Sequence, residues 1–144
     1  MLYRLLRRGE NIVNGLRAKN PNSWTSVFDH VTTGSKRGRV QSPYISACGS
    51  LNAVLEFRRK SRIRDADAQI VQISEDNLPV VKIDLRTASN RKNHYKLGSD
   101  SNASINDFNN FTRVYEEVLL VGYVPETHVQ LMNESDFDRE QLPV

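Results

Sequence analysis

Apolar residues in this chain fall into short runs separated by long polar stretches, and their spacing predicts a mixed set of small elements. Leu2 to Leu6 reads as a short strand. Pro21-Asn22-Ser23 then opens a helix, with Ser23 as its N-cap and Gly34 as its stop. Trp24, Val27, Phe28 and Val31 recur along it at three- and four-residue spacing, the pattern of a buried stripe. Segment 34–42, with two glycines and three cations, reads as a mobile basic loop. Residues 43–47 form a second short strand, and Ser50 caps a second helix to about residue 60, with Leu51, Val54, Leu55 and Arg58 along one face. Ala68–Ile73 and Val80–Leu85 are predicted strands around a turn at Glu75-Asp76-Asn77. Residues 86–110, polar and rich in Asn and Ser, read as one long loop, a length that is uncommon and often functional. Residues 114–122 are the strongest strand, ended by Gly122. Thr127–Met132 is a last strand, and the acidic tail from Glu134 a short helix. The sum is an α+β fold in a single domain over residues 1–144.

Composition narrows the class. At 38% hydrophobic and 26% charged the chain is that of a folded globular protein, and no apolar run approaches the roughly 20 residues a membrane span needs. The start, Met1 to Arg8, is too short and too charged for a signal peptide. The single cysteine, Cys48, excludes an internal disulfide framework, in keeping with a reducing compartment. Net charge is +3, but residues 1–64 hold a balance of +10 and residues 65–144 one of −7. That asymmetry fits a positive face for an anionic ligand or partner; two halves that neutralise each other is the plainer reading. Cys48, His94 and His128 have no metal-ligand spacing, so no metal site is expected, and Cys48 reads as a structural thiol. The cationic run 58–64 is usually a solvated helix end; a nucleic-acid surface is the minority reading. No glycine-rich phosphate loop of the P-loop or dinucleotide type is present.

Three segments place a polar residue inside a strand-like run: Leu2-Tyr3-Arg4, Pro43-Tyr44-Ile45-Ser46, and Tyr115-Glu116-Glu117-Val118-Leu119-Leu120. A buried charge on a strand needs a partner or a task. Arginine offers a planar fork of donors that matches phosphate oxygens, serine a donor to a carboxylate or ribose, and glutamate a charge that stabilises an oxocarbenium-like centre. Alternation puts Glu117 on one face with Leu119 and Val121, at the start of a half-buried surface. Taken singly, each has a plain alternative: a snorkelling arginine, a small residue near a turn, a solvated Glu pair.

In their order the three segments resemble the mono-ADP-ribosyltransferases of the Arg-Ser-Glu class, related to the cholera and heat-labile enterotoxin A chains. Leu2-Tyr3-Arg4 matches that family's first strand, Asp29-His30 its helical Asp-His pair, and Tyr44-Ile45-Ser46 part of its aromatic-aliphatic-Ser-Thr-Ser strand. Glu117 to Pro125 matches its catalytic-Glu strand, hydrophobic run, Gly and Pro turn. The resemblance implies a split β-sandwich of two small sheets with flanking short helices, and NAD as substrate. It implies Glu117, Ser46 and Arg4 as the catalytic set, and Arg4, Leu5, His30, Ser46 and Tyr44 around the NAD. Arg4 would hold the phosphates, Ser46 would brace Glu117, His30 would support the ribose side, and Glu117 would stabilise the cation formed as nicotinamide leaves. The segment Asn106 to Arg113 falls at the family's target-recognition loop, with Tyr115, Phe108 and Phe111 as acceptor contacts. Two departures stand out: Ser-Thr-Ser is Ser46-Ala47-Cys48 here, and Tyr115 replaces the Glu or Gln two residues before the catalytic Glu. Arginine as the modified residue is therefore not implied.

The resemblance leads to a toxin or effector domain, secreted or delivered into the cytosol of a target cell (otherwise cytoplasmic). It would be a monomer that modifies a macromolecular acceptor, first of all a protein. The Ala47-Cys48 and Tyr115 departures motivate a second reading, a degenerate site that binds a host protein. The +10 half motivates a third, binding or modification of nucleic acid.

Overall fold

A computed structural model describes residues 1–37, 41–61, 68–96 and 101–141. Its main sheet has six strands in the spatial order β5-β6-β3-β1-β4-β8, every neighbouring pair antiparallel. In chain order these are β1 (Leu2–Leu5), β3 (Tyr44–Cys48), β4 (Ile70–Ile73), β5 (Lys82–Asp84), β6 (Glu117–Val121) and β8 (Val129–Leu131). A two-stranded ribbon, β2 (Leu16–Arg17) with β7 (Tyr123–Val124), forms a second small sheet. Among the described residues, five short helices complete the α+β fold: α1 (Val27–Arg37), α2 (Leu51–Lys60), α3 (Ala88–Lys92), α4 (Ser101–Val114) and α5 (Glu134–Gln141).

Strand alternation sorts the core into layers. Leu2, Ala47, Val71, Ile73, Val118 and Leu120 point to one face, where Leu16 and Val124 of the ribbon cover them. Gly15 makes that approach close: its φ is +82°, and a Cβ there would meet the Val124 carbonyl. The opposite face is split. Tyr3, Leu5, Cys48 and Ile70 pack with Leu51 and Val54 of α2. Leu119 packs with Phe28 and Val31 of α1 and Phe108 of α4. Two helical blocks thus sit side by side on one face of the sheet.

Several expectations are corrected. α1 starts at Val27, not after Ser23, because Ser26 supplies the cap: its Oγ accepts from the Asp29 amide and its carbonyl from the His30 amide. Trp24 therefore precedes the helix and is 100% exposed, whereas Val27, Phe28 and Val31 form the buried stripe. Gly34 does not stop the helix, which runs to Arg37, so the basic loop expected over 34–42 is in part helical; residues 38–40 lie outside the described residues, as does the end of the 58–64 run. The long loop expected over 86–110 contains α3 and most of α4. The strand expected from 114 begins at Glu117, because Val114 still belongs to α4. The strand expected over 127–132 is shorter, a single 3₁₀ turn over Glu126–His128 coming before β8. The Ser50 cap and the α2 face stand as expected, with Ser50 Oγ accepting from the Ala53 amide. Among the described residues, no helix is long and apolar enough to cross a membrane.

Candidate active site

Between the two helical blocks, over the middle of the sheet, lies a cavity of about 200 Å³. Its floor comes from β1, β3 and β6, and its walls from α1, α2 and α4. Arg4, Leu5, Tyr44, Ser46 and Glu117 line it from the strands, and His30 from α1.

β1 and β3 pair at the single register Tyr3↔Cys48. Beyond that point the Arg4 side chain links them, Nη1 donating to the Ser46 carbonyl at 2.7 Å. Glu10 engages the other two nitrogens: Nε donates to Oε2 at 3.3 Å and Nη2 to both carboxylate oxygens at 3.2 Å. Both side chains are 8% exposed, so this is a buried, forked ion pair. Burial by itself would raise the Glu10 pKa. Arg4, the Arg7 amide and the Arg7 charge outweigh it and hold the carboxyl below its usual value.

Glu117 is held differently. A left-handed turn at Glu116 (φ 49°) follows α4, and Gly49 donates its amide to the Glu116 carbonyl at 2.8 Å. Ser50 Oγ donates to the Glu116 carboxylate. These anchors make Glu117 the first residue of β6, 3% exposed rather than part of a solvated pair. Among the described residues its Oε1 has no hydrogen-bond partner. Burial pushes its pKa up to about 8, against the opposing pull of a Ser46 hydrogen bond and the Arg4 charge.

His30 ties the pieces together. Its Nδ1 lies 2.6 Å from Ser42 Oγ and its Nε2 2.7 Å from Ser46 Oγ. Burial, with the Arg4 and Lys19 charges behind it, lowers its pKa to about 4, so the ring is neutral at pH 7 and has one N–H and one lone pair. With Glu117 ionised, Ser46 donates to it, so Ser46 Oγ accepts from Nε2–H and Nδ1 accepts from the Ser42 hydroxyl. The Tyr44 amide donates to Ser42 Oγ at 3.3 Å and completes a one-way chain from β3 to the carboxylate.

The outer wall is aromatic. Phe57, Phe111 and Tyr115 make edge-on contacts with centroids 4.8–6.2 Å apart. Tyr115 and Phe111 thus sit at the cavity, but Phe108 does not. It is fully buried, stacked on Phe28 at 5.1 Å, and its expected contact with an acceptor is corrected to a core role. The expected recognition loop is the helical end of α4. Cys48 faces the cavity as a thiol whose pKa burial pushes up, with the Glu117 and Glu116 charges adding to it, which removes it as a thiolate nucleophile. Among the described residues, no group of three His, Cys, Asp or Glu is placed to hold a metal.

Sequence reading missed Glu10, Ser42, Phe57 and three cavity cations, Arg7, Arg17 and Lys19. The one available signal was Glu10 as the lone acid among five cations in residues 1–19. No protein-family model, no curated protein and no solved structure matches this chain.

Proposed function

We propose that this chain is a mono-ADP-ribosyltransferase of the Arg-Ser-Glu class, which cleaves NAD and transfers ADP-ribose to a macromolecular acceptor. The reading includes the split β-sandwich of that family and the role of a delivered toxin or effector acting on a protein in the cytosol. One observation carries it. Arg4, Ser46 and Glu117, from three strands far apart in the chain, line a single cavity together with His30.

In this mechanism the cleft takes the nicotinamide–ribose end of NAD. The nicotinamide ring is cationic, and its approach favours the Glu117 carboxylate over its protonated form. The C–N bond to the ribose breaks, its electron pair goes to the ring nitrogen, and neutral nicotinamide leaves. Glu117 stabilises the positive charge left on the ribose, and the Ser42–His30–Ser46 chain fixes the orientation of the carboxylate. An acceptor nucleophile then forms the new bond to the ribose carbon and releases its proton to solvent. Phe111 and Tyr115, beside Phe57, offer apolar surface for nicotinamide or the acceptor.

The test is incubation of the wild type and Glu117→Ala with labelled NAD and a cell lysate. The wild type is expected to release nicotinamide and label a lysate component, and the variant to do neither at a comparable rate. Equal nicotinamide release by a folded Glu117→Ala protein refutes the assignment.

A binding module without turnover is the second reading. It is favoured by the engagement of the Arg4 fork with Glu10 and the Ser46 carbonyl, and by Ala47 and Cys48 where the family has hydroxyls. Calorimetry showing no heat with millimolar NAD would select it.

A further inference from the structure

The family resemblance implies that Arg4 holds the ligand's phosphates, but the contacts of Arg4 argue against that role. Arg4 has its Nη1 on the Ser46 carbonyl and its Nε and Nη2 on Glu10, at 2.7–3.3 Å. Its charge is already compensated by a carboxylate, and its donors link two strands. A phosphate could take the Nε and Nη2 donors only by displacing Glu10 from a buried ion pair, which would strand a second anion in a closed space.

Three other cations line the same cavity. Arg7 leaves the end of β1, Arg17 sits on β2, and Lys19 follows it. The Arg17 guanidinium lies 4.6 Å over the Tyr123 ring. That attraction to the ring face consumes no carboxylate partner. Arg7 is 37% exposed at its side chain and reaches Glu10 only at 3.5 Å. Burial first, and then the Arg7 and Arg4 charges, lower the Lys19 pKa against the opposing charge of Glu10.

Resting on the dinucleotide reading of this cleft, we propose that Arg7, Arg17 and Lys19 form its diphosphate subsite, while Arg4 is a structural bridge that does not touch phosphate. The two negative charges of a diphosphate offset the repulsion that Lys19 feels from Arg7, and its oxygens meet a fork from Arg17 and cationic donors from Lys19 and Arg7. The subsite lies on the strand-and-ribbon side of the cavity, and the aromatic wall comes from Phe57 of α2, Phe111 of α4 and Tyr115 in the turn after α4. Such a ligand spans the cleft with its phosphates among the cations and its reactive ring toward the aromatics.

The experiment titrates inorganic pyrophosphate, ADP-ribose and NAD into the wild type, Arg17→Gln/Lys19→Gln, Arg7→Gln and Glu117→Gln, by calorimetry with circular dichroism on each protein. Arg17 and Lys19 are exposed, so the double variant keeps its fold. Pyrophosphate and ADP-ribose affinity is expected to fall about tenfold or more in the double variant and less in Arg7→Gln, and pyrophosphate affinity is expected not to fall in Glu117→Gln. Wild-type affinity should also fall with added salt. Equal pyrophosphate affinity in the wild type and the double variant, or none in either at millimolar ligand, overturns the subsite and leaves the transferase reading standing. Pyrophosphate bound through these cations without any NAD binding or nicotinamide release keeps the subsite and removes the transferase. An oligonucleotide that binds through the same residues and is not displaced by NAD overturns the diphosphate assignment in favour of a nucleic-acid backbone.

Discussion

The loop after β1 and the head of β6 each bury a glutamate within the field of Arg4, and the two carboxylates end in opposite states. Glu10 accepts from Nε and Nη2 of Arg4 and from the Arg7 amide, and its pKa falls. Glu117 has one oxygen with no partner, and its pKa rises to about 8. The chemistry of the side chain is the same; the number of donors aimed at it differs. A carboxylate whose lone pairs are all used holds a fold together. One left short of donors is costly to keep charged, and it gains most when a cationic ligand arrives.

Glu117→Gln gives the largest expected effect. Nicotinamide release should fall by about a hundred- to a thousandfold, the loss typical when one electrostatic stabiliser of a transition state is removed. The fold should persist, and at pH 8 the variant should melt no lower than the wild type, because an under-bonded buried anion has been replaced by a neutral amide. Matched urea melts and NAD turnover measure both. A strongly destabilised Glu117→Gln would break the contrast, since Glu117 would then be structural like Glu10.

Glu10→Ala should show the reverse pattern. Removing one member of a buried pair leaves the Arg4 guanidinium stranded, which costs about 3–5 kcal/mol and lowers the urea midpoint. Turnover per folded molecule should fall less than in Glu117→Gln, through loosening of the β1–β3 bridge. Replacing the pair by apolar residues, Arg4→Met with Glu10→Leu, should recover much of that stability. Turnover should stay low in this double variant if Arg4 must hold the Ser46 carbonyl in place.

The contrast explains what was readable in the sequence. Arg4, Ser46 and Glu117 stood out because each interrupts a strand-like apolar run, and the sheet does bring them to one cavity. Glu10 did not, because it lies in an irregular segment where no periodicity marks a buried position. The helices gave a similar lesson. α4 has Ile105, Phe108 and Phe111 at three-residue spacing, yet its Asn and Ser content reads as loop; burial of one face against α1 and β6 outweighs that weak local preference. Trp24 fits the α1 spacing by coincidence, and only the Ser26 cap decides that the helix begins after it. Ser42 was invisible because its role depends on an α1 side chain 12 residues away.

Acidity offers a finer separation of the two glutamates. Glu117 has a folded-state pKa above its unfolded value, so its stabilising contribution is full below the unfolded value near 4.5 and is lost as pH rises toward about 8. Glu10 has a folded-state pKa below its unfolded value, so its contribution is full above 4.5 and is lost as pH falls through the lowered value. The stability gap between the wild type and Glu117→Gln should therefore shift in the variant's favour between pH 5 and pH 9. The gap between the wild type and Glu10→Ala should close in acid. In turnover, kcat/KM should rise with pH through about 8, where free Glu117 ionises, and kcat should level off at lower pH because the bound nicotinamide cation helps that ionisation. Coincident profiles would remove the idea that substrate charge completes what the protein leaves undone.

Ser42→Ala has the smallest expected effect and probes how the under-bonded carboxylate is oriented. Ser42 is 2% exposed and does not reach Glu117 itself; it acts through His30. With Glu117 ionised, the Ser42 hydroxyl donates to Nδ1 and the ring proton stays on Nε2, which meets Ser46 Oγ at 2.7 Å. Without Ser42 the neutral ring is free to protonate Nδ1 instead. In that tautomer Nε2 becomes an acceptor, turns the Ser46 hydroxyl toward itself and takes away the donor that Glu117 has. The expected result is a fall in kcat of about tenfold, the scale of one hydrogen bond to a charged group, with KM little changed. The Glu117 ionisation seen in kcat/KM should move higher, because the bond lost is one that favours the carboxylate. Nitrogen-15 shifts of the His30 ring report the tautomer directly. At a pH above 8, where Glu117 is ionised, a wild-type ring protonated on Nδ1, or a Ser42→Ala protein with unchanged tautomer and unchanged kcat, would show that Glu117 is oriented by Ser46 alone.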